Sequence, residues 1–229
     1  MKAIILAGGF GTRLRERVPL VPKPMAPVAG RPFLEYILDK LDQANFEQVV
    51  LSVGYQASII MDHFGDSYRH MSISYAHEKE PLGTGGAIAF ALTLVDEDPV
   101  LVINGDTFLD IDYRELFNWY LSEPRKVAIV LRELDDISRY GTVQLKGDIV
   151  TGFYEKGQTG AGLINAGVYI VNPNFFDEAG VTGKFSFEVD FLQVYCDEIK
   201  PGAYIVSGYF IDIGIPDDYN RAQYELPKL

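Results

Sequence analysis

Three short apolar runs in the first half of this chain each stop at glycine. Ala3-Ile4-Ile5-Leu6 leads into Ala7-Gly8-Gly9, Val49–Val53 into Gly54, and Val100–Ile103 into Asn104-Gly105-Asp106. Runs that are apolar at nearly every position suit strands buried on both faces. The segments between them have a different period. Phe33, Leu34, Ile37, Leu38 and Leu41 fall on one helical face, Ile59, Ile60 and Phe64 predict a helix ended by Gly65, and Gly86–Leu94 predicts another, with Ile73–Ala76 a further strand. Strands alternating with helices imply an α/β fold with a mixed, mostly parallel sheet flanked by helices. Ligands bind such sheets beyond the carboxyl ends of the strands, so the glycines that end these runs are expected to gather along one edge.

After about residue 124 the pattern becomes strand-rich: Val127–Leu131, Thr142–Leu145, Ile149–Tyr154 and Leu163–Val171, which predicts a mixed or antiparallel extension of the sheet. A helix over Ser186–Tyr195, strands near Ala203–Ser207 and Phe210–Ile213, and a helix from Pro216 complete the reading. No linker or repeat interrupts the 229 residues. They read as a single domain, 1–229, with one lobe over about 1–124 and a second over about 125–229. No apolar run reaches the ~18–20 residues that span a bilayer, the amino terminus lacks a signal-peptide core, and Cys196 is alone. A cytoplasmic location is expected. The net charge of −12 argues against nucleic acid or an anionic membrane as partner.

That acidity is uneven. Arg13, Arg15, Arg17, Lys23 and Arg31 lie close together against only Glu16, a basic island suited to a polyphosphate or carboxylate. It overlaps Gly8-Gly9-Phe10-Gly11-Thr12-Arg13, a glycine-rich turn after a buried strand, whose backbone N–H groups are able to approach phosphate oxygens. Two common phosphate motifs fail here. No Lys-Ser or Lys-Thr completes a P-loop, and in the dinucleotide fingerprint Leu14 stands where the third glycine belongs, with no acidic residue ending the second strand. Gly83-Thr84-Gly85-Gly86 before a helix admits a flat ring or a phosphate close to the backbone. Asp106 ends an apolar strand, as does Asp212, and paired carboxylates there suit Mg²⁺. Glu155, Lys156 and Asn165 offer hydrogen bonds and charge to a sugar phosphate. Asp110-Ile111-Asp112 is a rival metal motif, whereas His63, His70 and His77 show no metal-ligand spacing.

Taken in order, GGxGTRL with its downstream Pro22-Lys23-Pro24-Met25, then Pro81-Leu82-Gly83-Thr84-Gly85-Gly86-Ala87, Asn104-Gly105-Asp106, Glu155-Lys156 and Asn165-Ala166-Gly167-Val168 resemble the sugar-1-phosphate nucleotidyltransferase family over nearly the whole chain. The stretches Arg31-Pro32-Phe33-Leu34 and Glu78–Ala87 look like its guanylyltransferases acting on D-glycero-α-D-manno-heptose 1-phosphate, with those acting on mannose 1-phosphate close by. The resemblance implies a Rossmann-like core and the reaction of an NTP, GTP favoured, with a sugar 1-phosphate to give NDP-sugar and pyrophosphate. It implies that Leu6, Ala7, Gly8 and Gly9 line the nucleotide and that Gly11, Thr12 and Arg13 hold the triphosphate. Gly83 and Gly85 would meet the base, and Arg13, Lys23 and Asp106 would serve the reacting centre. Asn104, Gly141, Glu155, Lys156, Asn165 and Gly167 would bind the sugar phosphate, and Asp106 and Asp212 would hold Mg²⁺. Glu16-Arg17-Val18 and Glu155-Lys156-Gly157 depart from the family pattern.

A sugar 1-phosphate has a second pKa near ~6, so its oxygen is already an anionic nucleophile near neutrality. No general base is required, and no Ser-His-Asp or Cys-His set stands out. Other readings are a uridylyl- or thymidylyltransferase on a hexose 1-phosphate, a metal-dependent glycosyltransferase using Asp110 and Asp112, and a non-catalytic nucleotide-sugar-binding regulator. The last is expected to have lost Lys23, Asp106 or Asp212, and all three are present. A homo-oligomer is compatible with such a chain.

Overall fold

The computed structural model describes the chain from Met1 to Leu229 except Phe10, Thr12, Arg13, Arg15, Glu16, Glu97, Asp98, Pro124, Asn174, Phe175, Asp177 and Glu178. Its centre is strand β1 (Lys2–Leu6), in parallel register with β4 (Gln48–Val53) on one side and β7 (Val100–Asn104) on the other. Ala3, Ile4 and Ile5 are wholly buried, with Ala3 and Ile5 in one hydrophobic core and Ile4 in the other. The unbroken apolar run therefore places side chains on both faces of the sheet. Full burial of each such isoleucine contributes roughly 1.5–3 kcal/mol. Helix α1 (Phe33–Gln43) turns Phe33, Leu34, Ile37, Leu38 and Leu41 into the first core. Helix α2 (Ala57–Phe64) ends at Gly65, which has φ 61°. Helix α3 (Gly83–Leu92) adds Ile88, Ala91 and Leu92 to the second core.

The expectation of a mostly parallel sheet needs correcting. β1, β4, β6 (Met71–His77) and β7 are parallel to one another, but the ten-stranded sheet is mixed, with the short β5 (Ser67–Tyr68) antiparallel to β6 at its edge. β12 (Gly162–Val171) runs antiparallel to both β7 and β9 (Val127–Leu134), and β10 (Thr142–Lys146) is antiparallel to β11 (Ile149–Tyr154). Only β13 (Gly202–Val206) is parallel to its neighbour β9 in this half. The tight turn between β10 and β11, with Gly147 at φ 65°, makes a hairpin where a helical crossover would be needed for parallel strands.

Two small sheets sit off the main one. β2 (Pro27–Val28) and β3 (Arg31–Pro32) form a hairpin whose turn residues, Ala29 and Gly30, both have positive φ, as a type I′ turn requires. β8 (Thr107–Leu109) pairs antiparallel with β14 (Phe210–Asp212), which sets Asp212 opposite Thr107. The predicted helix over Ser186–Tyr195 is a single π turn, Phe187–Leu192, followed by the short helix α5 (Cys196–Ile199), after α4 (Tyr113–Ser122) earlier in the chain. Helix α6 (Pro216–Glu225) closes the fold. Among the described residues, no helix is long and apolar enough to cross a membrane.

Candidate active site

The carboxyl ends of β1, β4, β6 and β7 border a cavity of about 400 Å³. Leu6, Gly8, Gly9 and Gly11 form one wall. The glycine loop lies flat on the strand ends. Ala7 N–H donates to Ser52 O at 2.8 Å, and a Cβ on Gly8 would stand 2.9 Å from Glu78 Oε1 and 3.2 Å from Gly54 N. A side chain at residue 8 would therefore displace the Glu78 carboxylate and crowd the backbone at Gly54. Gly11 has φ 57°, and a Cβ there would come 2.9 Å from Lys23 Cβ, so this glycine lets the lysine stem run alongside the loop.

Lys23 leads a short 3₁₀ turn (Lys23–Met25), with Pro22 and Pro24 restricting the backbone on either side. Its side chain is 9% exposed, and its ammonium donates to Asp106 Oδ2 at 2.6 Å and Asp212 Oδ1 at 3.3 Å. The β8/β14 pair makes this meeting possible. Ile213 N–H donates to the Asp106 carbonyl, and Gly214 N–H donates to Asp212 Oδ1 at 2.7 Å. Two carboxylates around one ammonium leave the cluster with a net negative charge, favourable to a second cation.

Glu78 follows β6 directly and lines the same cavity. Its Oε1 accepts from the buried Ser52 hydroxyl at 3.0 Å, and its Oε2 accepts from Leu82 N–H at 3.0 Å. Each carboxylate oxygen keeps a second lone pair, so the group stays a two-point acceptor.

On the other side of β7, the pairing of β12 with β9 slips between Asn165 and Tyr169. Gly167 stands inside this bulge at φ 70°, pressed against the Asn104 side chain. Bulges re-aim side chains beside functional sites, and here Asn165 Oδ1 accepts from Gly167 N–H at 2.9 Å while its Nδ2 donates to the Tyr169 hydroxyl at 2.8 Å. Tyr169 is wholly buried. Burial, and next the neighbouring Glu188, push its phenol well above the ordinary range, so it remains a protonated donor.

The residues expected from sequence are placed unequally. Leu6, Gly8, Gly9, Gly11, Lys23, Gly83, Asn104 and Asp106 line the cavity, and Asp212 reaches it through Lys23. Ala7 is buried behind the loop. Thr12 and Arg13 lie outside the described residues. Gly167 meets Asn104 and is held by Asn165, whereas Gly141 sits by the Tyr154 carbonyl and Glu155 and Lys156 are exposed just past β11 and do not line the cavity. Gly85 does not face the cavity. It is buried, with Phe185 occupying the space where its Cβ would be, and its N–H donates to the Phe185 carbonyl at 3.0 Å. The glycines of the first turn of α3 thus admit a protein ring and backbone at this position. Asp110 pairs with Lys40 at 2.5 Å and Asp112 caps α4 by accepting from Arg114 and Glu115 N–H, which accounts for the rival acidic motif.

Sequence reasoning missed Glu78, Ser52, Thr84 and Gly214, all of which line the cavity. Glu78 was accessible by the rule that picked out Asp106, since both follow a strand's carboxyl end. Gly214 carried no such signal. A Cβ there would stand 2.8 Å from Asp212 Oδ1 and nearer still to the Lys23 ammonium, a crowding that arises only when distant segments meet.

Parallel strands ending at a polar cavity, with a glycine loop on one wall and paired carboxylates on another, define an α/β protein built for a small charged ligand. The family model described as Nucleotidyl transferase matches residues 2–228, and this chain belongs to that family of enzymes. It is 46% identical over 226 residues to a D-glycero-alpha-D-manno-heptose 1-phosphate guanylyltransferase of Aneurinibacillus thermoaerophilus, covering 99% of this chain and 98% of that one. A protein of the same name from Campylobacter jejuni is 44% identical, with 96% and 97% covered. The crystal structure of HddC from Yersinia pseudotuberculosis complexed with GMP-PN superposes with a TM-score of 0.86 at 37% identity, covering 97% of each chain.

Proposed function

We propose that this nucleotidyltransferase makes GDP-heptose and pyrophosphate from GTP and D-glycero-α-D-manno-heptose 1-phosphate. The observation that carries the transfer chemistry is the convergence of Lys23, Asp106 and Asp212 at a cavity that the glycine loop also lines. Two oxyanions must approach one another at the α-phosphorus, so catalysis is a matter of positioning and of positive charge. Lys23 supplies fixed charge, the glycine loop supplies backbone donors, and the sugar phosphate oxygen attacks in line with the departing pyrophosphate. Asn104, Asn165 and Gly167 are assigned to the sugar phosphate. Asn104 ends β7 beside the glycine loop, and Asn165 and Gly167 lie on β12 beyond it, which supports a reading in which the two substrates meet near Asp106.

Asp106 and Asp212 are the residues that would hold Mg²⁺. Their fit to the ion is supported by the donor set, two hard oxygen ligands that already enclose a cationic group. When bound, Mg²⁺ neutralises phosphate charge as a Lewis acid. Guanine is favoured by Glu78, because the base's adjacent N1–H and N2–H donors match a two-point acceptor, whereas adenine presents an acceptor at N1. The two full-length relatives above, both named for the heptose substrate, support the sugar assignment.

The test is pyrophosphate release with Mg²⁺ across GTP, ATP, UTP, CTP and dTTP against heptose, mannose and glucose 1-phosphates. GTP with heptose 1-phosphate is the expected pair. Release with another pair would overturn the substrate assignment and keep the transfer chemistry.

A further inference from the structure

Glu188 lies in the π turn, outside the reacting centre, and is partly buried with no cation paired to it among the described residues. Its carboxylate is met instead by three hydroxyls. Oε2 accepts from Thr84 Oγ1 at 2.6 Å and from Ser186 Oγ at 3.1 Å, while Oε1 accepts from the Tyr169 hydroxyl at 3.0 Å. Thr84 lines the nucleotide cavity. Tyr169 leads through Asn165 to Gly167 at the far side of β7. One carboxylate is therefore the junction between the two walls.

An ionised carboxylate only accepts hydrogen bonds, and this sets the direction of every bond on both branches. Tyr169 must donate to Glu188, so its oxygen is free to accept from Asn165 Nδ2. Asn165 must then turn Oδ1 to the Gly167 N–H, which is a donor whatever the side chains do. On the other branch Thr84 donates to Glu188 and accepts from Phe187 N–H at 2.8 Å. A group at residue 188 that was able to donate would reverse a link and set two donors against each other at Tyr169 or Thr84, at the full cost of an unmet buried group.

We infer that Glu188 is a positioning residue that locks the nucleotide wall at Thr84 and the sugar-phosphate bulge at Asn165–Gly167 into one arrangement, so that disturbing either branch is felt by both substrates. The inference rests on the assignment of Asn165 and Gly167 to the sugar phosphate made above.

The experiment is steady-state kinetics of wild type, Glu188→Gln, Tyr169→Phe, Thr84→Val and Thr84→Ser, with KM for GTP and for the sugar 1-phosphate measured separately and Tm alongside. Glu188→Gln preserves shape and is expected to raise both KM values by about tenfold, the scale of one or two misdirected hydrogen bonds. Tyr169→Phe should raise KM for the sugar 1-phosphate and, through Glu188, that for GTP. Thr84→Val should raise both KM values, and Thr84→Ser, which keeps the hydroxyl, should recover most of that loss. The double variant Glu188→Gln/Tyr169→Phe should be little worse than Glu188→Gln alone, because the link is already broken. A fall in Tm with both KM values unchanged would overturn the positioning role, as would effects on each branch confined to its own substrate and multiplying in the double variant. Wild-type protein that turns over no sugar 1-phosphate would instead remove the reading on which the inference stands.

Discussion

Lys23 donates to Asp106 across eighty-three positions of sequence, at 2.6 Å. The ammonium thus occupies the side of the carboxylate that a metal ion would also seek. Lysine and ion compete for the same oxygens, and this yields a prediction with two opposite signs. Lys23→Met should lower kcat by about 10²-fold or more, as loss of a charge at a phosphoryl centre does. The same variant should bind Mg²⁺ more tightly in the absence of nucleotide. Calorimetric titration with Mg²⁺ beside turnover measurements checks both, and weaker Mg²⁺ binding in Lys23→Met would contradict the shared-oxygen account.

Asp106→Asn and Asp212→Asn should each reduce kcat by about 10²-fold and shift the Mg²⁺ dependence of the remaining activity to higher concentration. The Asp212 variant disturbs more than the charge, because that carboxylate also fixes the Gly214 N–H. Activity against Mg²⁺ concentration separates lost affinity from lost chemistry. Wild-type rates in both variants would remove these residues from the reacting centre.

Glu78→Gln keeps the shape of the base wall but replaces one acceptor by a donor. The kcat/KM for GTP should fall by about 10–100-fold, as for one or two unmatched polar groups, with a smaller loss for ATP. A competition assay with mixed nucleotides reads the ratio directly, and an unchanged ratio would assign base selection elsewhere.

Gly214→Ala places a methyl group where the Lys23 ammonium and Asp212 Oδ1 now sit. Turnover should drop by about tenfold or more, with Tm near wild type because the group lies at the cavity edge. A fully active Gly214→Ala would show that the lysine has room to move without consequence.

The ionic cluster around Arg31 gives a pH prediction. Tyr68 donates to Asp39 at 2.8 Å, and its phenol is pushed up to about 12, by burial first and then by Asp39. The unfolded chain releases this proton near its ordinary value of ~10, before the folded one. The stabilising contribution is therefore complete below pH ~10 and lost as pH rises towards 12. Urea midpoints should fall over that window in wild type and fall less in Tyr68→Phe.

How much of this was legible in sequence depended on where the determining neighbours lie. β1, β4, β7 and the second half of β12 are readable because strands buried on both faces are apolar at nearly every position. Helix α4 was missed although Tyr113, Leu116, Phe117 and Tyr120 keep a helical period and are buried, since aromatic residues give a weaker helical signal. The apolar spacing of Phe187, Phe191, Leu192 and Tyr195 predicts a ten-residue helix, but a wider π turn satisfies the same spacing. Gly85 shows a different limit. A glycine announces that something approaches closely, and only the fold reveals that here it is Phe185. Asp106 and Asp212 were paired by their strand-end positions, but their common contact with Lys23 belongs to three segments that meet only in three dimensions.

The antiparallel ladder between Val100–Ile103 and Val168–Val171 is the seam along which the two proposed half-sites join. Because the strands run in opposite directions, the outgoing end of one meets the incoming end of the other at the cavity. For anyone rebuilding this enzyme toward a different sugar, the seam is a natural place to splice. A graft of what lies beyond it would have to bring Asp212 to Lys23 and Phe185 to Gly85, meet Thr84 on the retained side, and carry Tyr169 and Glu188 together. A graft that brings one without the other would inherit a pocket whose hydrogen bonds point the wrong way.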